Sequence, residues 1–168
     1  MAIPSHSIRR EPFHHGFYEV FLPVTDVDRA VSFYVKKLGF SVGRRESPSS
    51  ALLLYDDHGT RSMLGLFQVE AVERRYHISF RVFEKDVDRM MSFLVERGIE
   101  PVHPSRARVQ GPMREPIVHG WMPAASVFFT DPDGHLLELI ADLAGERRPE
   151  VLYCPLSEWR STVDRSTS

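Results

Sequence analysis

The chain has 168 residues, 42% of them hydrophobic and 26% charged, with a formal net charge of −2. Such a length suits one domain or two small fused repeats sharing a core, and the charge gives no general electrostatic reason for a nucleic-acid partner. The longest apolar stretch, around Val127–Thr130, is far too short to span a bilayer. Met1 to Phe13 lack the apolar core of a signal peptide, and the single cysteine, Cys154, excludes an intrachain disulfide and fits a reducing compartment. A cytoplasmic protein with neither membrane nor nucleic acid as partner is expected.

Residues 1–15 carry prolines, serines and mixed charge without periodicity, and read as a lead-in. From Tyr18 the chain alternates, with Tyr18, Val20, Leu22 and Val24 apolar, which is strand spacing. Asp26 then suits a helix N-cap. Val27, Val31, Tyr34 and Leu38 follow at helical spacing, and Gly39 stands where a C-terminal cap belongs. Three strand candidates, Phe40–Arg44, Ala51–Tyr55 and Met63–Val69, are separated by turn-prone residues. His77–Val82 reads as another strand, with Ile78, Phe80 and Val82 on one face and His77, Ser79 and Arg81 on the other. Asp86 is placed to cap a helix carrying Val87, Met91 and Leu94, which Gly98 ends. Ile99–Val102 is a short strand candidate. Ser126–Thr130 and His135–Ile140 form an expected hairpin across Asp131-Pro132-Asp133-Gly134.

The order of elements therefore repeats. Asp26-Val27-Asp28-Arg29 returns as Asp86-Val87-Asp88-Arg89, each copy followed three residues later by Ser-Phe. Strand, cap, helix and glycine stop agree in the two copies. The expected fold is α+β: two βαβββ modules, 16–70 and 76–142, whose curved mixed sheets form half-barrels around a central pocket. Neither half buries its own helix and sheet well, so the two should pack together. Residues 103–123 are longer than a typical connection, and they hold His119 and Trp121 together with Arg106, Arg108 and Arg114. The tail, 143–168, carries Val151, Leu152, Tyr153, Leu156 and Trp159, enough apolar mass to pack on the body or on a partner chain, with Ser161–Ser168 expected to fray.

Three polar residues stand in strands at matching places. Glu19 lies five residues before Val24, and His77 five before Val82. Glu138 is flanked by leucines, where a carboxylate is costly unless a cation or hydrogen-bond donors compensate. From the residues alone, His77 is a metal ligand or a strand histidine bonded to a neighbour. Glu138 is a ligand or one half of a buried ion pair, with Arg81 on the same face as a partner.

The segments Glu19-Val20-Phe21-Leu22-Pro23-Val24-Thr25-Asp26-Val27, His77-Ile78-Ser79-Phe80-Arg81-Val82 and Asp131-Pro132-Asp133-Gly134-His135-Leu136-Leu137-Glu138-Leu139 resemble the opening strands and the closing hairpin of the vicinal-oxygen-chelate family, the glyoxalase, bleomycin-resistance and extradiol-dioxygenase group. The resemblance covers roughly Phe17 to Asp142. It implies a divalent metal (Zn, Ni, Mn, Fe or Co) held by Glu19, His77 and Glu138, with Glu138 and Glu19 as the catalytic carboxylates. Ser79, Arg81, His119 and Trp121 would line the substrate pocket. It implies a metal-dependent enzyme, glyoxalase-like lyase or isomerase or dioxygenase-like, acting on a small oxygen-chelating metabolite or xenobiotic. The alternative it offers is a metal-free small-molecule binding protein of the bleomycin-resistance type. A homodimer is expected, with ligands drawn from one chain or from two. The chain departs from the family pattern at Glu19, where His or Gln is usual, and at Gly65, which takes the place of a fourth ligand carboxylate. A two-residue ambiguity also remains in aligning the modules, which sets either His77 or Ser79 opposite Glu19.

Overall fold

The computed structural model describes residues 18–57, 60–104 and 112–164. The lead-in and the loop residues Arg106 and Arg108 lie outside them. The first strand, β1 (Glu19–Val24), leads into α1 (Val27–Leu38) and then into β2 (Ser41–Ser47), β3 (Ser50–Asp57) and β4 (Thr60–Gln68). The second half runs through β5 (His77–Arg81), a 3-10 turn (Glu84–Arg89), α2 (Met90–Val95), β6 (Ile117–His119), β7 (Ala124–Thr130) and β8 (Leu136–Asp142). It closes with β9 (Cys154–Pro155) and α3 (Leu156–Asp164).

Two open mixed sheets result, ordered β1-β4-β3-β2 and β5-β8-β7-β6-β9. In each, the opening strand runs parallel to the last strand of its module, and the other pairs are antiparallel. Apart from β9, the two halves are the same motif, so the repeat seen in the sequence is a repeat of topology.

The local chemistry that builds α1 is the chemistry expected. Asp26 is extended and accepts the Arg29 amide at 2.9 Å. Gly39 adopts φ 84°, and the amides of Gly39 and Phe40 close the helix on the carbonyls of Val35 and Tyr34. Leu22 and Val24 of β1 are buried with Leu53, Leu64 and Leu66 in a core that also takes Leu94, Val127, Phe129 and Leu137 from the second half. One hydrophobic core thus serves both sheets, with Phe40 edge-on to Phe80 across the join, 5.6 Å between centroids.

The β7–β8 turn joins the halves in polar fashion. Tyr34 donates to Asp131 Oδ2 at 2.9 Å. Asp133 Oδ1 accepts from the amide and hydroxyl of Thr25 and from Arg29 Nη2, at 3.0, 2.6 and 2.9 Å. His135, fully buried, donates from Nε2 to the Pro23 carbonyl at 2.8 Å and accepts the Tyr76 amide on Nδ1 at 3.1 Å. Because a carbonyl only accepts and an amide only donates, these partners fix the ring's tautomer. The aspartates are turn residues, as the turn chemistry requires, and they are also the clasp between modules.

Four expectations are corrected. Ile99–Val102 is no strand: Gly98 turns the chain with φ 63°, Pro101 offers no amide, and only a bridge from Val102 to Phe128 forms. The strand beside β7 lies instead inside the long connection, at Ile117–His119. Asp86 does not cap a helix. It sits within the 3-10 turn, where its amide bonds the Phe83 carbonyl and its carboxylate takes Arg89. The tail is ordered as far as Asp164: Trp159 is buried on the body, under the Arg148 guanidinium at 4.9 Å. Residues 165–168 lie outside the described ones.

Candidate functional site

Glu138 is the centre of the site. Strand alternation puts its side chain on the face of β8 opposite Leu137 and Leu139, and the parallel register sets it beside Ser79. The same register puts His77 two positions earlier on the same face. Glu138 is 3% exposed, so its charge is held by donors. His77 Nε2 lies 3.0 Å from Oε2, and the Ser79 hydroxyl donates to that same oxygen. On the other side, His119 Nε2 lies 3.1 Å from Ser126 Oγ and 3.6 Å from Glu138 Oε1, so its direct hydrogen-bond partner is Ser126 and its hold on the carboxylate is electrostatic. Burial pushes the Glu138 carboxyl up. The interactions with His119, Ser126 and Ser79, and the neighbouring His77, outweigh that and hold it below the usual carboxylate range.

Four of the expected site residues therefore come together: His77, Ser79, His119 and Glu138. Three do not join them. Glu19 stands on β1, in the other sheet, exposed, and its side chain forms no hydrogen bond or ion pair among the described residues. Arg81, at the end of β5, is largely exposed, with its guanidinium 3.9 Å from Asp142, so the Glu138–Arg81 pair considered from sequence is not made. Trp121 is exposed in the turn between β6 and β7.

Sequence reasoning missed two residues. Ser126, fully buried, is the one hydroxyl within the apolar run Ala124–Phe129 of β7, and that isolation was the available signal. Tyr153, packed edge-on to His119 with centroids 5.0 Å apart, arrives from the tail, and no local pattern announces it.

The first sheet shows what stands where the family resemblance would put a fourth carboxylate. Phe21 pairs with Gly65 just as Ser79 pairs with Glu138. This resolves the module alignment: with Gly65 opposite Glu138, Glu19 corresponds to His77. A Cβ on Gly65 would lie 2.3 Å from the Phe21 ring. The aromatic ring thus occupies the space a side chain at that position would need.

A scan against family models matches residues 13–139 to the Glyoxalase/Bleomycin resistance protein/Dioxygenase superfamily. The chain belongs to that superfamily. Among solved structures, an integron cassette protein from the mobile metagenome of Halifax Harbour sewage outfall is 28% identical, with TM-score 0.59, over 75% of this chain and 97% of its own. A glyoxalase/bleomycin resistance protein/dioxygenase from Nocardioides is 22% identical, with TM-score 0.57, over 80% of this chain and 87% of its own. Oxidase ChaP-H2 is 20% identical, with TM-score 0.58, over 80% and 98%. At these identities the last two speak to the fold. No helix among the described residues is long and apolar enough to cross a membrane.

Superfamily members commonly bind a metal. His77 and Glu138, in contact at 3.0 Å, suit a divalent ion in donor type and spacing. Among the described residues, however, no group of three or more His, Cys, Asp or Glu side chains converges on one point. Among the described residues the donor set is a pair, His77 and Glu138.

Proposed function

We propose that the protein is a metal-dependent enzyme of this superfamily acting on a small molecule that chelates through adjacent oxygens. His77 and Glu138 hold the ion from one chain, and Glu19 is contributed by a second copy. The observation that carries the reading is the His77–Glu138 contact at the β5–β8 register, with the carboxylate buried yet held ionised. The bound ion supplies polarisation of substrate oxygens. Ser79, and His119 with Ser126, keep Glu138 oriented and charged. Glu138 and Glu19 are the carboxylates available to move a substrate proton. The face of β1 bearing Glu19 also exposes Phe21, at 49%, and a second chain laid over it would cover that apolar surface. The reaction class is lyase, isomerase or dioxygenase-like.

The test is metal content by mass spectrometry for wild type, Glu19→Ala, His77→Ala and Glu138→Ala, with each molecular mass from light scattering. A dimer with near-stoichiometric metal, lost in all three variants, supports the reading. Mixing equal amounts of Glu19→Ala and His77→Ala chains should restore about a quarter of the wild-type metal, because half of the re-paired dimers are mixed and one of the two shared sites in each mixed dimer is intact. A metal-free wild type after incubation with Mn²⁺, Fe²⁺, Co²⁺, Ni²⁺ and Zn²⁺ refutes it.

A second reading, a metal-free binding protein of the bleomycin-resistance type, is favoured by one observation: within one chain Glu138 already has His77 and Ser79 on Oε2 and the His119 ring 3.6 Å from Oε1. Saturable binding of an aromatic compound to metal-free protein, unchanged by adding metal, decides for it.

A further inference from the structure

Behind β5, on the side facing away from Glu138, lies a groove of about 400 Å³. Its floor is apolar: Phe40, Phe80, Met90, Phe93 and Leu139 line it, and Phe40, Met90 and Leu139 are buried. Phe80 and Leu139 alternate with Ser79 and Glu138 along their strands, so the thickness of the sheet separates this groove from the candidate site. Volume and lining are those of a small-molecule site: a few hundred cubic ångströms of apolar wall with a few charged groups at the edge.

The rim decides the sign of the ligand. Arg81, Arg89 and Arg97 line it with one acid, Asp86, which Arg89 engages at 3.3 Å, while the exposed carboxylates of Asp142 and Glu96, outside the lining, stand 3.9 Å from Arg81 and Arg97. The Arg97 guanidinium is already placed, 3.9 Å over the Phe93 ring and bonded to the Phe93 carbonyl at 3.0 Å. The lining itself thus holds three arginines and one aspartate, with the two further acids solvent-exposed outside it, so the charge that faces the groove is positive in a chain whose net charge is −2. A site with an aromatic floor and an arginine edge complements an apolar body ending in one anionic group.

We propose that this groove is a second ligand site, for amphipathic organic monoanions such as aliphatic or aromatic carboxylates. It is distinct from the Glu138 site and does not depend on metal there. Body and head group use separate parts of it: rings and methylenes lie along Phe80, Met90 and Phe93, while the carboxylate meets Arg97 and Arg89.

The probe is anilinonaphthalene sulfonate, fused rings carrying one sulfonate, followed by its fluorescence. Decanoate and decyltrimethylammonium, equal in alkyl length and opposite in charge, compete against it. The expected result is a saturable site from which decanoate displaces the probe and the cation does not. Arg97→Glu and Arg89→Glu change exposed side chains and should leave folding intact, yet each weakens decanoate about tenfold or more. Glu138→Gln binds decanoate as wild type does. The proposal is overturned by non-saturable probe binding or by equal displacement with either charge. It is equally overturned by wild-type decanoate affinity in both arginine variants, or by loss of binding in Glu138→Gln, which would assign the ligand to the other site.

Discussion

Tyr34→Phe tests whether the clasp between modules is electrostatic rather than mere packing. Tyr34 is fully buried in α1, and its hydroxyl donates to Oδ2 of Asp131, itself 5% exposed. The other oxygen, Oδ1, is taken by the amides of Asp133 and His135 at 3.0 and 2.9 Å. The substitution keeps the ring, with its edge contacts to Phe33 and Phe40, so little cavity forms. What is lost is a hydrogen bond to a buried charged acceptor, roughly 1.5–3 kcal/mol. In a protein of this size that is a fall of about 3–12 °C in melting temperature, with a matching fall in the urea midpoint at constant slope. The pH dependence separates this from packing. Burial first, and then the Asp131 charge, push the Tyr34 hydroxyl far above its ordinary value of 10.0. A group whose pKa is raised on folding stabilises fully below its unfolded value and loses that contribution as pH rises beyond it. Wild type should therefore lose stability above about pH 10 by a route the Tyr34→Phe variant lacks, and the gap between the two should close. Urea unfolding at pH 7, 9 and 10.5 reads both effects. A neutral-pH difference below about 0.5 kcal/mol, or a gap constant with pH, refutes the argument.

On the acid side, burial raises the Asp133 carboxyl, but the bonds from Thr25 and Arg29 win and hold it below its ordinary value of 3.8. Its contribution is present above the unfolded value and lost as pH falls through the folded one, so Asp133→Asn should cost roughly 1–2 kcal/mol at pH 7 and progressively less below about pH 4. Gly65→Glu, which restores a carboxylate to the first sheet, drives its Cβ into Phe21. It should cost about 1–3 kcal/mol by thermal melt, most of it recovered when Phe21→Ala is added. Trp159→Ala should cost about 3–5 kcal/mol and expose β9 and α3 to limited proteolysis, because Trp159 is buried where the tail meets the body. Asp88→Asn removes the two-pronged contact with Arg160, at 2.8 and 3.1 Å. With Asp88 largely exposed, it should cost under about 1 kcal/mol, and less still in high salt.

Where local chemistry decides structure, the sequence was sufficient. Asp26 and Gly39 bound α1 by short-range hydrogen bonds that any reader of the pattern anticipates, and the alternation of β1 and β5 sets their faces. The failures share a different cause. Ile117–His119 is three residues long, and a strand so short exists only because β7 on one side and β9 on the other complete its ladder. Ser126 and Tyr153 reach the site through partners distant in sequence. The clasp residues Asp131 and Asp133 were legible as a turn, but their second duty depends on where α1 lies, and that is a tertiary fact.

The two modules use one geometry for unequal ends, and the inequality is what the proposed sharing of donors between two chains rests on. Opening strand and closing strand run parallel in both, so each module presents two facing positions on neighbouring strands. Module two fills them to make a site: Ser79 bonds Glu138, and His77, two residues earlier, reaches the same oxygen. Module one fills the equivalent pair with Phe21 and Gly65, a ring lying against a residue with no side chain, with Glu19 two residues before Phe21 on the same face. A carboxylate left on an exposed apolar sheet face gains nothing for the stability of its own chain. In the proposed reading, its use comes from a second chain brought to it. That is why the mixing of Glu19→Ala and His77→Ala chains, rather than either variant alone, bears most directly on how this protein works.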